Sequence, residues 1–120
     1  MVGLKRVAPI FAVRDLDASM AYYESLGFAV RSYAGGGYGF ATRDGIEIHL
    51  GVVPDGDLRT SSAYLFVEDA DELAREWRAA GAAVHEPQDT EWRQHEGALV
   101  DPDGNVIRFG SPMDAGQGQG

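Results

Sequence analysis

The chain has 120 residues, of which 44% are hydrophobic and 24% are charged, an ordinary composition for one small globular domain. It contains no apolar run near the roughly 20 residues that a membrane-spanning helix requires. Ten basic residues stand against nineteen acidic ones, so the formal net charge is −9. Because nucleic acids and anionic membranes are bound chiefly through clustered Lys and Arg, we expect neither as a partner.

Cysteine is absent, which excludes disulfide bridges, thiolate metal sites and a cysteine nucleophile. The first residues, from Met1 to Arg6, lack the apolar core of a secretory signal peptide. A chain without disulfides suits a reducing compartment. We therefore expect a cytoplasmic location.

The first half of the chain predicts a strand, a helix and three further strands. Alternating apolar residues predict the first strand over residues 6–13. The helix is expected to begin at Asp15 or Asp17 and to end before Gly27, because an Asp cap and a glycine stop are common helix boundaries. A tight Asp-Gly turn joins the last two strands. The three later strands are predicted over residues 29–33, 38–42 and 46–52.

The same order of elements recurs in the second half, which indicates an internal duplication. Residues 13–17 align with residues 67–71 at a shift of 54, and Asp44-Gly45 aligns with Asp103-Gly104 at a shift of 59. The larger shift means that the second copy carries five extra residues. We place them in a polar loop over residues 86–94 that includes Trp92. An exposed loop that contains a tryptophan is a candidate binding element.

The second module is predicted to contain a helix whose apolar stripe, including Trp77, faces the core. Its later strands are expected over residues 83–85, 97–100 and 106–110. We divide the chain into a first module at 1–53, a linker at 54–61, a second module at 62–112 and a disordered tail at 113–120.

Alternation also assigns two faces to each predicted sheet. One face is apolar and suited to cover by a helix. It holds Pro9, Phe11, Val13, Ile46, Ile48, Leu50, Ala63, Leu65, Val67, Ile107 and Phe109. The opposite face is mixed, as a ligand cavity requires, although a subunit interface or a second core layer would explain the same pattern. It holds Ala8, Ile10, Ala12, Glu47, His49, Ser62, Tyr64, Phe66, Val106 and Arg108.

The repeat and its motifs together resemble the glyoxalase, bleomycin-resistance and extradiol-dioxygenase superfamily, also called vicinal oxygen chelate proteins. The resemblance spans residues 4–112. It is carried by residues 13–19, 22–23, 26–28, 43–47, 92–97 and 101–105. The resemblance implies an α+β fold of two βαβββ modules, each a curved mixed sheet with its helix on the outer face. It also implies pairing in a two-fold homodimer.

Metal-using members of that family hold an ion through the first and last strands of each module, typically with His, Gln or Glu. The resemblance places these four positions at Ala8, His49, Ser62 and Arg108. Ala cannot coordinate, Ser is a poor ligand for such ions, and Arg would bring a fixed positive charge. Because only His49 fits, we expect no metal and no other cofactor. A substitute ligand could come from His85, His95, Glu86 or Glu96. His95 and Glu96, however, are neighbours on a strand and should point to opposite faces.

The sequence shows no nucleophile elbow and no glycine-rich phosphate loop after a strand. An acid–base set is conceivable, but an ordinary charge-satisfied pocket explains the same residues equally well. That set would comprise Glu47, His49, Glu96 and Arg108. We therefore predict no catalytic residues.

What remains is a metal-independent protein that binds and sequesters a small molecule, as the likeness to the bleomycin-resistance branch implies. The ligand would be a planar or cationic antibiotic such as a bleomycin-family drug, with Glu47 and Glu96 facing its cationic groups. Aromatic platforms would come from Trp92, Tyr64, Phe66 and Phe40, and further lining from His49, Arg108 and Ser62. Arg93 departs from the family, whose loops often carry Gly after the tryptophan. The alternative is a divalent-metal-dependent glyoxalase-like lyase or dioxygenase.

Overall fold

The computed structural model describes residues 1–113, and the predicted tail lies outside the described residues except for Met113. The chain divides into two compact units, the first ending at Ser61 and the second beginning at Ser62. Each unit contains one helix and a four-stranded mixed sheet, in the order strand, helix, strand, strand, strand. The α+β fold of two βαβββ modules is therefore confirmed.

The first unit consists of β1 (Ile10–Val13), α1 (Leu16–Ser25), β2 (Ala29–Ser32), β3 (Tyr38–Arg43) and β4 (Ile46–Val52). Its sheet has the order β1-β4-β3-β2, with β1 parallel to β4 and the other pairs antiparallel. Asp15 caps α1, since its Oδ1 accepts the Ala18 N–H at 3.0 Å. Gly27 follows the helix at a φ of 94°, a conformation that glycine adopts readily. Asp15 therefore begins the helix and Gly27 follows its end, close to where the sequence predicted.

The first strand is shorter than predicted. Residues 6–9 are not in a strand, and β1 begins at Ile10, the strand partner of His49. Pro9 accepts a hydrogen bond from the His49 N–H at 2.9 Å, but a proline has no N–H to continue the ladder. The prediction of a strand over residues 6–9 is therefore wrong, because the ladder stops at the proline.

The core of the first unit lies between α1 and one face of its sheet. Alternate residues of β1 and β4 point into it, as the period of two predicted. Ile46, expected on the same face, is 43% exposed because it stands at the hairpin end of β4. The buried apolar residues of this unit are Phe11, Val13, Tyr23, Leu26, Phe28, Ala41, Ile48 and Leu50.

The second unit consists of β5 (Ser62–Phe66), α2 (Ala70–Ala79), β6 (Ala83–Asp89), β7 (Gln94–Val100) and β8 (Val106–Pro112), and a short 3-10 helix (Asp55–Asp57) precedes it. Its sheet has the order β5-β8-β7-β6, matching the first unit. The Asp69 Oδ1 caps α2 by accepting the Glu72 N–H at 3.0 Å. Trp77 is buried and contacts the Phe109 ring edge-on at 5.3 Å between centroids. Within residues 1–113, no helix is long and apolar enough to cross a membrane.

The loop that carries Trp92 is shorter than predicted. β6 continues to Asp89 and β7 begins at Gln94, so residues 90–93 alone form the connection. The extra residues of the second copy lengthen a hairpin, whose pairing is irregular between His85 and Gln88. The loop prediction holds for residues 90–93 and is wrong for residues 86–89 and 94. Polar side chains on an edge strand such as β6 remain in solvent although the strand belongs to the sheet, so their polarity resembled that of a loop.

Candidate functional site

In the first unit, the sheet face opposite the core carries a chain of hydrogen-bonded polar side chains. The Tyr38 hydroxyl lies 2.8 Å from the Nδ1 of His49, and the His49 Nε2 lies 2.6 Å from the Oε2 of Glu47. A neutral His49 satisfies both contacts if Nε2 donates to Glu47 and Nδ1 accepts from Tyr38. The Arg6 guanidinium also donates to the Glu47 Oε2, at 2.9 Å. Glu47 is therefore already paired twice.

This pairing sets the charge of the Glu47 carboxyl. The hydrogen bond from His49 is the largest influence and lowers the pKa of Glu47; partial desolvation opposes it, and Arg6 supports it. The pKa of Glu47 consequently lies below its usual value, and the carboxylate stays ionised at neutral pH. Because two cationic or donor groups already hold this carboxylate, its charge is largely compensated on the spot.

Phe40 lies among three other side chains of the same face. Its ring contacts His49 edge-on at 4.9 Å and Tyr38 at 5.5 Å between centroids. The guanidinium carbon of Arg31, the strand partner of Phe40, lies 4.0 Å from the centre of the Phe40 ring. One side of the ring is therefore covered by a cation, which leaves less of it for a ligand than the sequence suggested.

In the second unit, the corresponding face carries two neighbouring aromatic rings, one of which is largely exposed. Tyr64 and Phe66 have their ring centroids 4.9 Å apart, and Phe66 is 82% exposed. Arg108, the strand partner of Tyr64, holds its guanidinium carbon 5.5 Å from the Tyr64 ring centre. A Cβ at Gly110 would collide with the Tyr64 hydroxyl, so the glycine allows this ring to lie close against β8.

Glu96 connects this aromatic face to the β6–β7 loop. Its Oε1 accepts the Trp92 indole N–H at 3.2 Å. Its Oε2 accepts two N–H groups of Arg108, one of them at 3.0 Å. Partial burial alone would raise the pKa of Glu96, but the bonds from Arg108 and Trp92 and the nearby Tyr64 hydroxyl together hold that pKa below its usual value. Glu96 thus positions Trp92 and is itself paired with Arg108.

The Trp92 indole is held at one edge while the side chain stays 58% exposed. The loop beneath it is closed by Thr90, whose hydroxyl donates to the Gln94 carbonyl at 2.9 Å. Arg93 has a φ of 67°, in the left-handed region that favours glycine. Arg93 therefore holds a backbone conformation that glycine adopts more readily, at the position where the resemblance implied a glycine.

The four positions at which the resemblance implied metal ligands do not fit a metal ion. Ala8 offers no donor and Ser62 stands exposed at the start of β5. Both ring nitrogens of His49 are engaged by protein groups, and the Arg108 guanidinium is bound to Glu96. Within residues 1–113, no three His, Asp or Glu side chains are grouped as a metal site requires.

The structure groups the nine predicted site residues by unit. The first unit brings together Phe40, Glu47 and His49. The second unit brings together Tyr64, Phe66, Trp92, Glu96 and Arg108. Ser62, the first residue of β5, is exposed. The sequence did not identify Arg6, Arg31 or Tyr38. Tyr38 alternates with Phe40 on β3, so the period of two could have found it, whereas no local pattern points to the arginines.

Sequence comparison gives two matches that agree. The family model of the glyoxalase/bleomycin resistance protein/dioxygenase superfamily matches residues 3–109. A bleomycin resistance protein of Klebsiella pneumoniae is 29% identical over 114 residues, which cover 87% of this chain and 90% of that protein.

Structural comparison gives similar proteins over nearly the whole chain. A bleomycin resistance determinant encoded on the transposon Tn5 superposes with a TM-score of 0.81 at 26% identity, covering 91% of this chain and 98% of that one. A bleomycin-binding protein crystallised with bleomycin gives a TM-score of 0.77 at 26% identity, covering 90% and 98%.

Proposed function

Because the chain belongs to the glyoxalase/bleomycin resistance protein/dioxygenase superfamily, we propose that it binds a bleomycin-family or similar planar, cationic antibiotic and sequesters it without chemical change. Two of the similar proteins support this assignment. The Klebsiella pneumoniae relative is named a bleomycin resistance protein, and one similar structure contains bleomycin. Action in the cytoplasm, where such a drug would be intercepted, is part of the proposal.

The observation that carries the proposal is an exposed tryptophan with a fixed orientation. Trp92 presents more than half of its surface to solvent, yet its N–H is held by Glu96, which is held in turn by Arg108. A flat ring that is already oriented loses little freedom on stacking with a planar ligand. Tyr64 and Phe66 extend the aromatic surface of the same unit, which suits a ligand with planar aromatic groups.

We propose a different role for the two carboxylates from the one that the sequence suggested. Glu47 and Glu96 are each paired with an arginine, so we assign them to positioning neighbouring side chains. Attraction for a cationic drug then comes from the net charge of −9, which acts over a distance and is screened by salt. Phe40 and His49 remain proposed ligand-lining residues on the face of the first unit, and Ser62 and Arg108 on that of the second.

Titration with bleomycin tests the proposal directly. We expect saturable binding by calorimetry, weakened by added salt because the attraction is long-range, and recovery of the drug chemically unchanged. A neutral planar antibiotic serves as the control, because its binding should not be weakened by salt in this way. The absence of saturable binding across bleomycin and related planar antibiotics would defeat the proposal.

Metal analysis separates binding from the metal-dependent alternative. We expect the protein purified without chelator to carry no stoichiometric divalent ion. Of the four positions that the resemblance implied, only His49 is a suitable ligand, and both of its ring nitrogens already contact protein groups. Elemental analysis measures this. One tightly held ion per chain, with lyase or ring-cleaving activity that a chelator abolishes, would favour the alternative.

We extend the proposal to a two-fold homodimer. The second unit's open face leaves Phe66 largely exposed, and symmetric pairing is the commonest way in which proteins cover such surfaces. Sedimentation should give twice the 12.9 kDa of one chain. A monomeric mass at micromolar concentration, with drug binding intact, would contradict the dimer.

A further inference from the structure

His95 lies next to Glu96 on β7 but points to the opposite face of the sheet, toward α2. Its Nδ1 lies 2.8 Å from the Oδ1 of Asp89, and its Nε2 lies 2.8 Å from the Oδ1 of Asp71. Asp89 and His95 are strand partners; Asp89 directly precedes the loop of residues 90–93, and His95 follows that loop after Gln94. Asp71 stands in the first turn of α2. One imidazole therefore joins the base of the Trp92 loop to the helix.

The two contacts together require a protonated ring. A neutral imidazole has one N–H and can donate to one carboxylate, whereas the other nitrogen would turn a lone pair toward the second carboxylate. Burial, the largest single influence, lowers the pKa of His95, but the bonds and charges of Asp71 and Asp89 outweigh it and raise that pKa above 6.5. The geometry thus matches an imidazolium that donates to both sides.

The other groups around the ring do not oppose this state. Ser111, the partner of His95 on β8, is uncharged, and its hydroxyl accepts the Ala70 N–H at 3.1 Å. Glu72 adds a second acidic residue to the first turn of α2. Asp89, from β6, is the facing group on the remaining strand. The elements around His95 therefore present carboxylates and a neutral hydroxyl.

We propose that His95 is a positioning residue for Trp92 and that its protonation makes ligand affinity depend on pH; the part concerning the ligand rests on the proposed function. His95 closes the loop at its base, and the next residue, Glu96, holds the indole at its edge. When the ring loses its proton, one of the two carboxylates is released. The loop is then less firmly fixed to α2, and Trp92 is less well oriented.

The direction of the pH effect follows from the raised pKa of His95. A group that is more basic in the folded protein stabilises it fully below its unfolded pKa and loses this contribution as the pH rises through the folded pKa. The hydrogen bonds of His95 to Asp71 and Asp89 are therefore both present in mildly acidic solution, and one of them is lost in alkaline solution. For partly exposed pairs we expect drug affinity to fall about twofold to fivefold over this range.

The first experiment needs no ligand. The chain contains two tryptophans, so protein labelled with 5-fluorotryptophan gives two fluorine resonances, which a Trp92→Phe sample assigns. We expect the Trp92 resonance to titrate in the wild type and not in His95→Gln, and its midpoint to fall in Asp71→Asn. His85→Gln, which removes an exposed histidine of β6, is the matched control and should leave the titration unchanged.

A Trp92 resonance that does not titrate, or that titrates equally in His95→Gln, would overturn the positioning role. If His95→Gln fails to fold, Asp89→Asn decides the question, because it keeps the side-chain shape and removes one of the two charges. An unchanged midpoint in a folded Asp89→Asn protein would count against the proposal.

The second experiment measures bleomycin affinity across the same pH range in the wild type and in His95→Gln. Titration of the drug itself affects both proteins equally. The fall in affinity of about twofold to fivefold that is expected from one weak ion pair should therefore appear in the wild type and not in His95→Gln. Identical pH profiles would remove His95 from the control of binding. If bleomycin binds neither protein at any pH, the proposed function fails, while the fluorine titration still decides whether His95 positions Trp92.

Discussion

Replacing Trp92 by alanine is expected to weaken bleomycin binding by about 1–3 kcal/mol, or about 5-fold to 150-fold, if its stacking resembles that of bases on aromatic side chains. The indole is the exposed ring whose N–H is tied to Glu96, so the variant loses both the surface and its fixed orientation. Calorimetry with bleomycin measures the effect. The fold should be unaffected, because the side chain is 58% exposed in a loop.

Trp92→Phe separates the two contributions of this residue. Phenylalanine keeps an aromatic surface but cannot donate to Glu96, so we expect its affinity to lie between those of the wild type and the alanine variant. Circular dichroism shows whether each variant is folded. An unchanged affinity in folded Trp92→Ala protein would remove the loop from the binding site.

The fold was predictable from the sequence where the signals are local. Asp15 and Asp69 occupy equivalent places in the repeat and each caps a helix. Gly27 and Gly81 follow those helices at φ values of 94° and 92°. Such signals act within a few residues of the chain, so a duplicated pattern could be recognised without knowledge of tertiary contacts.

The errors arose where strand pairing decides the outcome. The apolar alternation continued through residues 6–9, but Pro9 ends the ladder because it lacks an N–H. Residues 86–89 looked like a loop because most of them are polar, yet they belong to the edge strand β6, and Gln88 and Asp89 pair with β7. Polarity reports the solvent exposure of side chains, whereas a strand is defined by hydrogen bonds to a partner that composition does not reveal.

The candidate site shows the same limit. Parity along the strands could place Glu47 and His49 on the mixed face, because side chains alternate. It could not show that Glu47 is held by Arg6, 41 residues away, or that Glu96 is held by Arg108, 12 residues away. The sequence therefore indicated which charges face outward, and the structure shows that these two carboxylates are paired with arginines.

Replacing Trp77 by alanine is expected to lower the free energy of unfolding by about 3–5 kcal/mol, as for other large aromatic residues in cores. Trp77 is 1% exposed and its ring meets that of Phe109 at 5.3 Å, so truncation leaves a cavity between α2 and β8. Small proteins have about 5–15 kcal/mol of stability in total, and the loss is therefore severe. Denaturant unfolding followed by circular dichroism measures it.

The matched control is Trp92→Ala, which removes the same number of atoms from an exposed loop and should change stability by about 0.5 kcal/mol or less. The two tryptophans are thus expected to separate: Trp77→Ala destabilises the fold, and Trp92→Ala weakens drug binding in a fold of normal stability. Because Phe109 directly follows Arg108 on β8, a cavity at Trp77 should also loosen the strand that anchors Glu96. Equal stability losses in the two alanine variants would show that the burial of these side chains has been assigned incorrectly.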